Sequence, residues 1–185
     1  MGELTKEIGD RLSKIKLLIV DCDGVLTDGR IVLLSETEET KFFDVKDGHG
    51  IRLAGRAGLK TAIISGRASF AVRARARDLG ITYLYEGAWV KTGPYEEVLA
   101  AEGIGDDSVC YVGDDVTDIP LMRRAGLAVA VADAVEEAKQ HAHYVTERPG
   151  GRGAVREVIE LILKAQGKWD AVMSRYLQPN NGMER

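Results

Sequence analysis

The chain has 185 residues, 45% hydrophobic and 29% charged, with a formal net charge of −4. That length supports one well-buried domain and leaves too little for two. Mild acidity argues against a nucleic-acid binder, and no apolar run is long enough to span a membrane.

In chain order, Leu4, Ile8 and Leu12 suggest a short first helix, and Lys16–Asp21 (KLLIVD) reads as a buried strand. Arg30–Leu34 and Thr40–Val45 are expected to pair as a β-hairpin inserted after that strand. Strands are then expected at Lys60–Ser65, Tyr83–Tyr85, Ser108–Gly113 and Leu127–Val131. Helical spacing separates them at Gly48–Ala57, Ser69–Leu79, Lys91–Glu102, Thr117–Ala125 and Ala134–His141. Strands alternating with helices predict an α/β, doubly wound parallel sheet with helices on both faces. A glycine-rich loop, Gly150–Gly153, leads into a helix over Ala154–Ala165. Residues 1–167 are expected to form one domain, with the hairpin flap at about 29–46. The tail, 168–185, carries Trp169, Val172, Met173, Tyr176 and Leu177 on one helical face, read as an oligomer contact, and ends in a polar stretch expected to fray.

Cys22 and Cys110 lie inside apolar runs and read as buried reduced thiols; with no apolar signal core at Met1–Lys6, a cytoplasmic location is expected. Gly48-His49-Gly50 is no dinucleotide fingerprint; His49 reads as a loop or supporting residue rather than a metal ligand, and His141 and His143 show no partner spacing for zinc.

Ligands on such sheets bind beyond the carboxyl ends of the strands. Those ends carry Asp21-Cys22-Asp23-Gly24, Ser65-Gly66-Arg67 and Gly113-Asp114-Asp115-Val116-Thr117-Asp118, while Lys91 opens the helix after the Tyr83–Tyr85 strand. Crowded carboxylates repel one another, and a hard divalent cation such as Mg²⁺ relieves them while keeping open positions. Such a cation beside a lysine and a serine suits a phosphate dianion.

In these residues the chain resembles the haloacid dehalogenase superfamily of phosphatases. Asp21–Asp28 fits the first motif, Ser65 the second, Lys91 the third and Gly113–Asp118 the fourth. The resemblance implies a Rossmann-like core and an aspartyl-phosphate mechanism. By it, Asp21 is the nucleophile and Asp23 the acid and base for the leaving alcohol and the water. Mg²⁺ is held by the Asp21 carboxylate, the Asp23 main-chain carbonyl and Asp114. Ser65 and Lys91 bind phosphoryl oxygens, with Asp115 and Asp118 in support.

The resemblance extends to the branch that acts on 3-deoxy-D-manno-octulosonate 8-phosphate. It rests on Phe43–Arg52, on Ser65-Gly66-Arg67 with Arg75, and on Arg148–Glu157 (RPGGRGAVRE). It implies substrate contacts from Asp23, Asp44, Val45, Lys46, Asp47, Gly48, Arg52, Arg67, Arg75 and Lys91. Arginines suit a substrate that carries a carboxylate as well as a phosphate. Arg152 is expected to meet an anion, in a neighbouring subunit's site. The chain departs from the branch at Glu86-Gly87-Ala88-Trp89-Val90, where many relatives have a polar linker, and at Thr92-Gly93-Pro94.

A nine-carbon keto-acid sugar phosphate would satisfy the same arginines. A receiver-like phosphoacceptor also clusters aspartates, a hydroxyl and a lysine, but carries its phosphorylated aspartate on a central strand well after an acidic pair. An idle interaction domain of the same fold would not need every motif residue. No segment between Asp28 and Ser65, or between Ser65 and Lys91, is long enough for a lid domain. A capless phosphatase is therefore expected, its open mouth covered in a homotetramer by neighbouring hairpins and tails.

Overall fold

The computed structural model describes residues 5–36 and 39–177. Leu4 and the polar end 178–185 lie outside the described residues.

Helix α1 (Lys6–Lys14) starts where the Thr5 hydroxyl accepts from the Ile8 amide, and it buries Ile8 and Leu12. Strand β1 (Leu17–Val20) is buried along its whole length, as a central parallel strand must be. A small hairpin follows, β2 (Val32–Leu33) paired antiparallel with β3 (Glu39–Thr40), and then helix α2 (Val45–Arg56). Next come β4 (Lys60–Ile64), α3 (Phe70–Leu79), β5 (Tyr83–Tyr85) and α4 (Thr92–Glu102). The second half comprises β6 (Val109–Gly113), α5 (Ile119–Met122), β7 (Leu127–Ala130), α6 (Glu136–Lys139), β8 (Tyr144–Val145), α7 (Ala154–Ala165) and α8 (Trp169–Leu177).

Six strands form one parallel sheet in the order β5-β4-β1-β6-β7-β8. The order reverses around β1, so the crevice beyond its carboxyl end lies at a topological switch point. Helix α7 buries Val155, Val158, Ile159, Ile162 and Leu163, and α2 buries Ile51, Leu53 and Ala54. Cys22 and Cys110 are free and buried, and burial pushes both thiols well above their usual range. Among the described residues no helix is long and apolar enough to cross a membrane.

The expected alternation is present, with differences at the edges. The hairpin strands are two residues each, because the chain leaves the ladder at Lys41 and Asp44 already caps α2 by accepting from the Lys46 amide at 2.6 Å. Helix α2 thus starts three residues before Gly48 and contains Gly48 and Gly50. Both glycines lie under arginine side chains: a Cβ at Gly48 would sit 2.1 Å from Arg75 Nη2, and one at Gly50 would sit 2.9 Å from Arg156 Cδ, so either arginine would have to shift. The single helix expected over Thr117–Ala125 is a 3₁₀ turn (Val116–Asp118) running into α5, because Asp118 folds back onto its own turn. Strand β8, only two residues long, carried no periodic signal. Helix α8 packs on the domain: Arg156 and Lys164 both approach the Trp169 ring, Val172 is buried, and the Tyr176 hydroxyl accepts from Arg56.

Candidate active site

Because β4, β1 and β6 are neighbours, the residues just past their ends meet at one edge of the sheet. Those residues are Ser65, Asp21 and Asp114. The Asp21 amide is still tied to the sheet, donating to the Val112 carbonyl at 3.0 Å. Gly24 has φ +88, and a Cβ there would sit 2.0 Å from Asp114 Oδ2. A glycine is needed both for that turn and for the room it leaves Asp114.

Lys91, just before α4, runs its side chain into the same crevice, where it is 4% exposed. Its Nζ donates to Asp21 Oδ1 at 2.8 Å and to Asp118 Oδ1 at 2.6 Å. Asp118 is fully buried and fully used. Its Oδ1 also accepts from the Tyr111 hydroxyl at 2.6 Å, and its Oδ2 accepts from the amides of Asp114 and Asp115 at 2.9 and 3.2 Å. The GDDxxD spacing lets the last carboxylate reach back over one 3₁₀ turn to those amides.

The charge count is unbalanced. Oxygens of Asp21, Asp114 and Asp118 all lie within 4.8 Å of one another, with Lys91 the ammonium that pairs with two of them. Burial, reinforced by Asp118, Asp21 and Asp115, pushes the Asp114 carboxyl up to about 8. Burial pushes Asp21 up to about 6, with Lys91 opposing and Asp118 adding to the rise. Burial works against the Lys91 ammonium, but Asp21 and Asp118 outweigh it and its pKa rises. Among the described residues none donates a hydrogen bond to the Asp114 side chain. A dication fits this donor set: hard oxygen ligands, excess negative charge, and one carboxylate without a partner. Asp118, with its oxygens committed to four donors, orients Lys91 and the turn, so Asp21 and Asp114 are the carboxylates left for the ion.

The cleft above these groups has a volume of about 190 Å³ and is lined by Asp21, Asp23, Ser65, Arg67, Trp89, Lys91, Asp114, Asp115 and Thr117, among others. Asp115 caps the following turn, accepting from the Val116 amide at 2.7 Å. Ser65 is 2% exposed, and its hydroxyl accepts from the Arg67 amide at 3.3 Å.

Other expected substrate residues lie elsewhere within the chain. Asp44, Val45, Lys46 and Arg152 line a separate cavity of about 360 Å³ beside Asp28, with Arg152 3.7 Å from the Asp28 carboxylate. The buried carboxylate of Asp47 accepts from the amides of Gly153 at 3.0 Å and Arg156 at 2.7 Å, capping α7. Gly48 is buried beneath Arg75. Arg52 and Arg75 both pair with Asp78 at 2.9 Å, outside the cleft. A larger cavity, about 400 Å³, lies along α7 away from the carboxylate cluster. There Glu160 neutralises Arg156 and Lys164, and Glu157 is occupied by the Tyr144 hydroxyl and two main-chain amides. The unbalanced carboxylates, not cavity size, mark the chemistry.

Sequence reasoning missed Tyr111 and two hairpin residues, Glu39 and Lys41. Lys41 is 2% exposed at its side chain and donates to Asp23 Oδ1. Neither charge stood out in sequence: Lys41 fell inside the expected strand Thr40–Val45, and Glu39 just before it.

The model for haloacid dehalogenase-like hydrolases matches residues 84–159. A 3-deoxy-D-manno-octulosonate 8-phosphate phosphatase of Escherichia coli is 46% identical over 169 residues, covering 91% of this chain and 90% of the relative. The crystal structure of the Yersinia pestis 3-deoxy-D-manno-octulosonate 8-phosphate phosphatase superposes with a TM-score of 0.88 at 46% identity, over 90% of each chain. That of the Moraxella catarrhalis phosphatase, in complex with magnesium, phosphate and KDO, gives 0.90 at 39% identity, over 94% of this chain and 99% of the other. The chain belongs to the haloacid dehalogenase-like hydrolases, within the family of the 3-deoxy-D-manno-octulosonate 8-phosphate phosphatases.

Proposed function

We propose that the protein hydrolyses 3-deoxy-D-manno-octulosonate 8-phosphate to the free keto-sugar acid and inorganic phosphate, with Mg²⁺ as cofactor. The observation that carries this reading is the Asp21–Lys91–Asp118 cluster beside an unpartnered Asp114, set in a chain 46% identical to such phosphatases.

Asp21 attacks phosphorus. The P–O bond to the sugar breaks, and Asp23 gives its proton to the departing oxygen. In the second half, Asp23 takes a proton from water as the water oxygen bonds phosphorus and the Asp21–phosphorus bond breaks. Lys91, whose Nζ also reaches the Tyr111 hydroxyl at 3.5 Å, brings positive charge to the phosphoryl oxygens, and Ser65 adds a hydroxyl. Bound between Asp21 and Asp114, with the Asp23 main-chain carbonyl, Mg²⁺ would supply positive charge for the phosphoryl group and relieve carboxylate repulsion.

Arg67, at the rim and 41% exposed at its side chain, suits the substrate carboxylate. The mouth has no cap, and the remaining contacts come from a second copy in a homotetramer. Ile31, Leu33, Leu34, Phe42 and Val45 are all more than half exposed on and beside the hairpin, as are Phe70, Trp89 and Val90 near the cleft. Exposed apolar surface on this scale favours assembly. Asp44, Val45, Lys46 and Arg152 then face a neighbour's cleft. The two free cysteines suit a cytoplasmic setting.

The test is phosphate release from eight- and nine-carbon keto-acid sugar phosphates, with Mg²⁺ and with chelator. The expected result is Mg²⁺-dependent turnover with the eight-carbon substrate preferred. Preference for the nine-carbon compound would reassign the substrate, and metal-independent turnover would remove the cofactor.

A further inference from the structure

The buried ammonium of Lys41 has no part in the chemistry described so far. Its side chain is 2% exposed, at the point where the hairpin ends and α2 has not begun. Burying an ammonium is costly unless carboxylates receive it. Here they do: Nζ donates to Asp23 Oδ1 and lies 3.7 Å from Glu39 Oε1. Glu39, two residues earlier, accepts from Arg67 Nη2 at 2.7 Å. Arg67 Nε in turn lies 3.7 Å from Asp23 Oδ2, too far for a hydrogen bond. Two cations and two carboxylates therefore close a ring. Its Asp23 corner is held through Oδ1, while Oδ2 accepts no hydrogen bond among the described residues, and Asp23 lines the cleft.

We propose that Lys41 is a positioning residue for the acid–base carboxylate: by gripping Asp23 Oδ1 from the hairpin, it aims Oδ2 at the leaving oxygen and then at the attacking water. This rests on the assignment of Asp23 made above. The hairpin becomes part of the catalytic apparatus as well as an assembly surface. A carboxylate on a loop beyond a strand end would otherwise sample several rotamers, and proton transfer demands a single alignment within hydrogen-bond reach. The proton inventory is unchanged: Oδ2–H goes to the ester oxygen as the sugar departs and is replaced from water. Lys41 keeps its protons throughout.

The experiment compares two substrates on one preparation of each variant, so that any misfolded fraction cancels in the ratio. 3-Deoxy-D-manno-octulosonate 8-phosphate has a poor alkoxide leaving group that needs the acid. p-Nitrophenyl phosphate has a good one that scarcely does. Lys41→Met and Lys41→Gln should lower kcat on the sugar phosphate by on the order of tenfold to a hundredfold more than on the aryl phosphate, with KM little changed. Lys41→Arg, which keeps a cation at Asp23, should recover part of that difference. Equal losses on both substrates, or a loss confined to KM, overturn the proposal. Asp23→Asn, run alongside, separates the two ideas. If it shows the leaving-group-selective loss and the Lys41 variants do not, the positioning role alone is wrong. If it shows no selective loss, the assignment of Asp23 falls and the role of Lys41 falls with it.

Discussion

The ammonium of Lys91 lies 2.8 Å from the carboxylate of Asp21, with 4% and 11% of the two side chains exposed. The same nitrogen holds Asp118 at 2.6 Å, so one cation organises the nucleophile and the carboxylate that shapes the fourth motif's turn. Removing it leaves two buried carboxylates facing each other. Lys91→Met should therefore abolish phosphate release and lower stability by about 3 kcal/mol, the cost of breaking a buried ion pair from one side. Chemical denaturation followed by circular dichroism checks the stability and a phosphate assay the activity. A variant as stable as the parent would show that the pair does not hold the site.

The raised carboxyls make stability in metal-free buffer depend on pH. Asp21 moves from 3.8 to about 6 and Asp114 from 3.8 to about 8, so the folded state binds more protons than the unfolded state between those values. Stability then falls as pH rises from about 4 to 8. Mg²⁺ competes with those protons, so the rise in Tm that it produces should grow from pH 5 to pH 8. Thermal melts at several pH values, with and without Mg²⁺, measure it. A Mg²⁺ effect that is constant with pH would contradict the shifts.

Asp47 ties the start of α2 to the start of α7 through the amides of Gly153 and Arg156. Asp47→Ala leaves two main-chain donors without their acceptor and should cost about 1–3 kcal/mol. Asp47→Asn keeps one acceptor oxygen and should cost less. Urea denaturation of the two variants against the parent tests the ranking.

The hairpin's exposed apolar residues predict assembly. Leu33 and Leu34 are 69% and 66% exposed, so replacing Leu33 with Asp should not harm a monomer's core. It should instead shift the protein to smaller species in analytical ultracentrifugation and lower activity on the sugar phosphate more than on p-nitrophenyl phosphate. An unchanged sedimentation coefficient would remove the hairpin from the interface.

Legibility from sequence followed physical scale. The four central strands announced themselves as apolar runs, and the residues past their ends needed only the sheet order to converge. Asp21, Ser65, Lys91 and Asp114 were therefore readable before any coordinates. The structural tie made by Asp47 was not legible, because motif resemblance says nothing of direction: the carboxylate reaches amides more than a hundred residues later. Lys41 was passed over because a single lysine after a hairpin normally stays in water, and only tertiary packing buries it against Asp23. Tyr111 read as a core residue, and it is one, but its hydroxyl also completes Asp118.

The most direct test of the mechanism is chemical trapping of the phosphorylated side chain. The enzyme is turning over 3-deoxy-D-manno-octulosonate 8-phosphate with Mg²⁺ when it is quenched with borohydride, which reduces an acyl phosphate to the alcohol, and its peptides are then read by mass spectrometry. Homoserine at position 21, absent without substrate, is the expected result. Continued turnover with an unmodified Asp21, or with the label on another carboxylate, would contradict it.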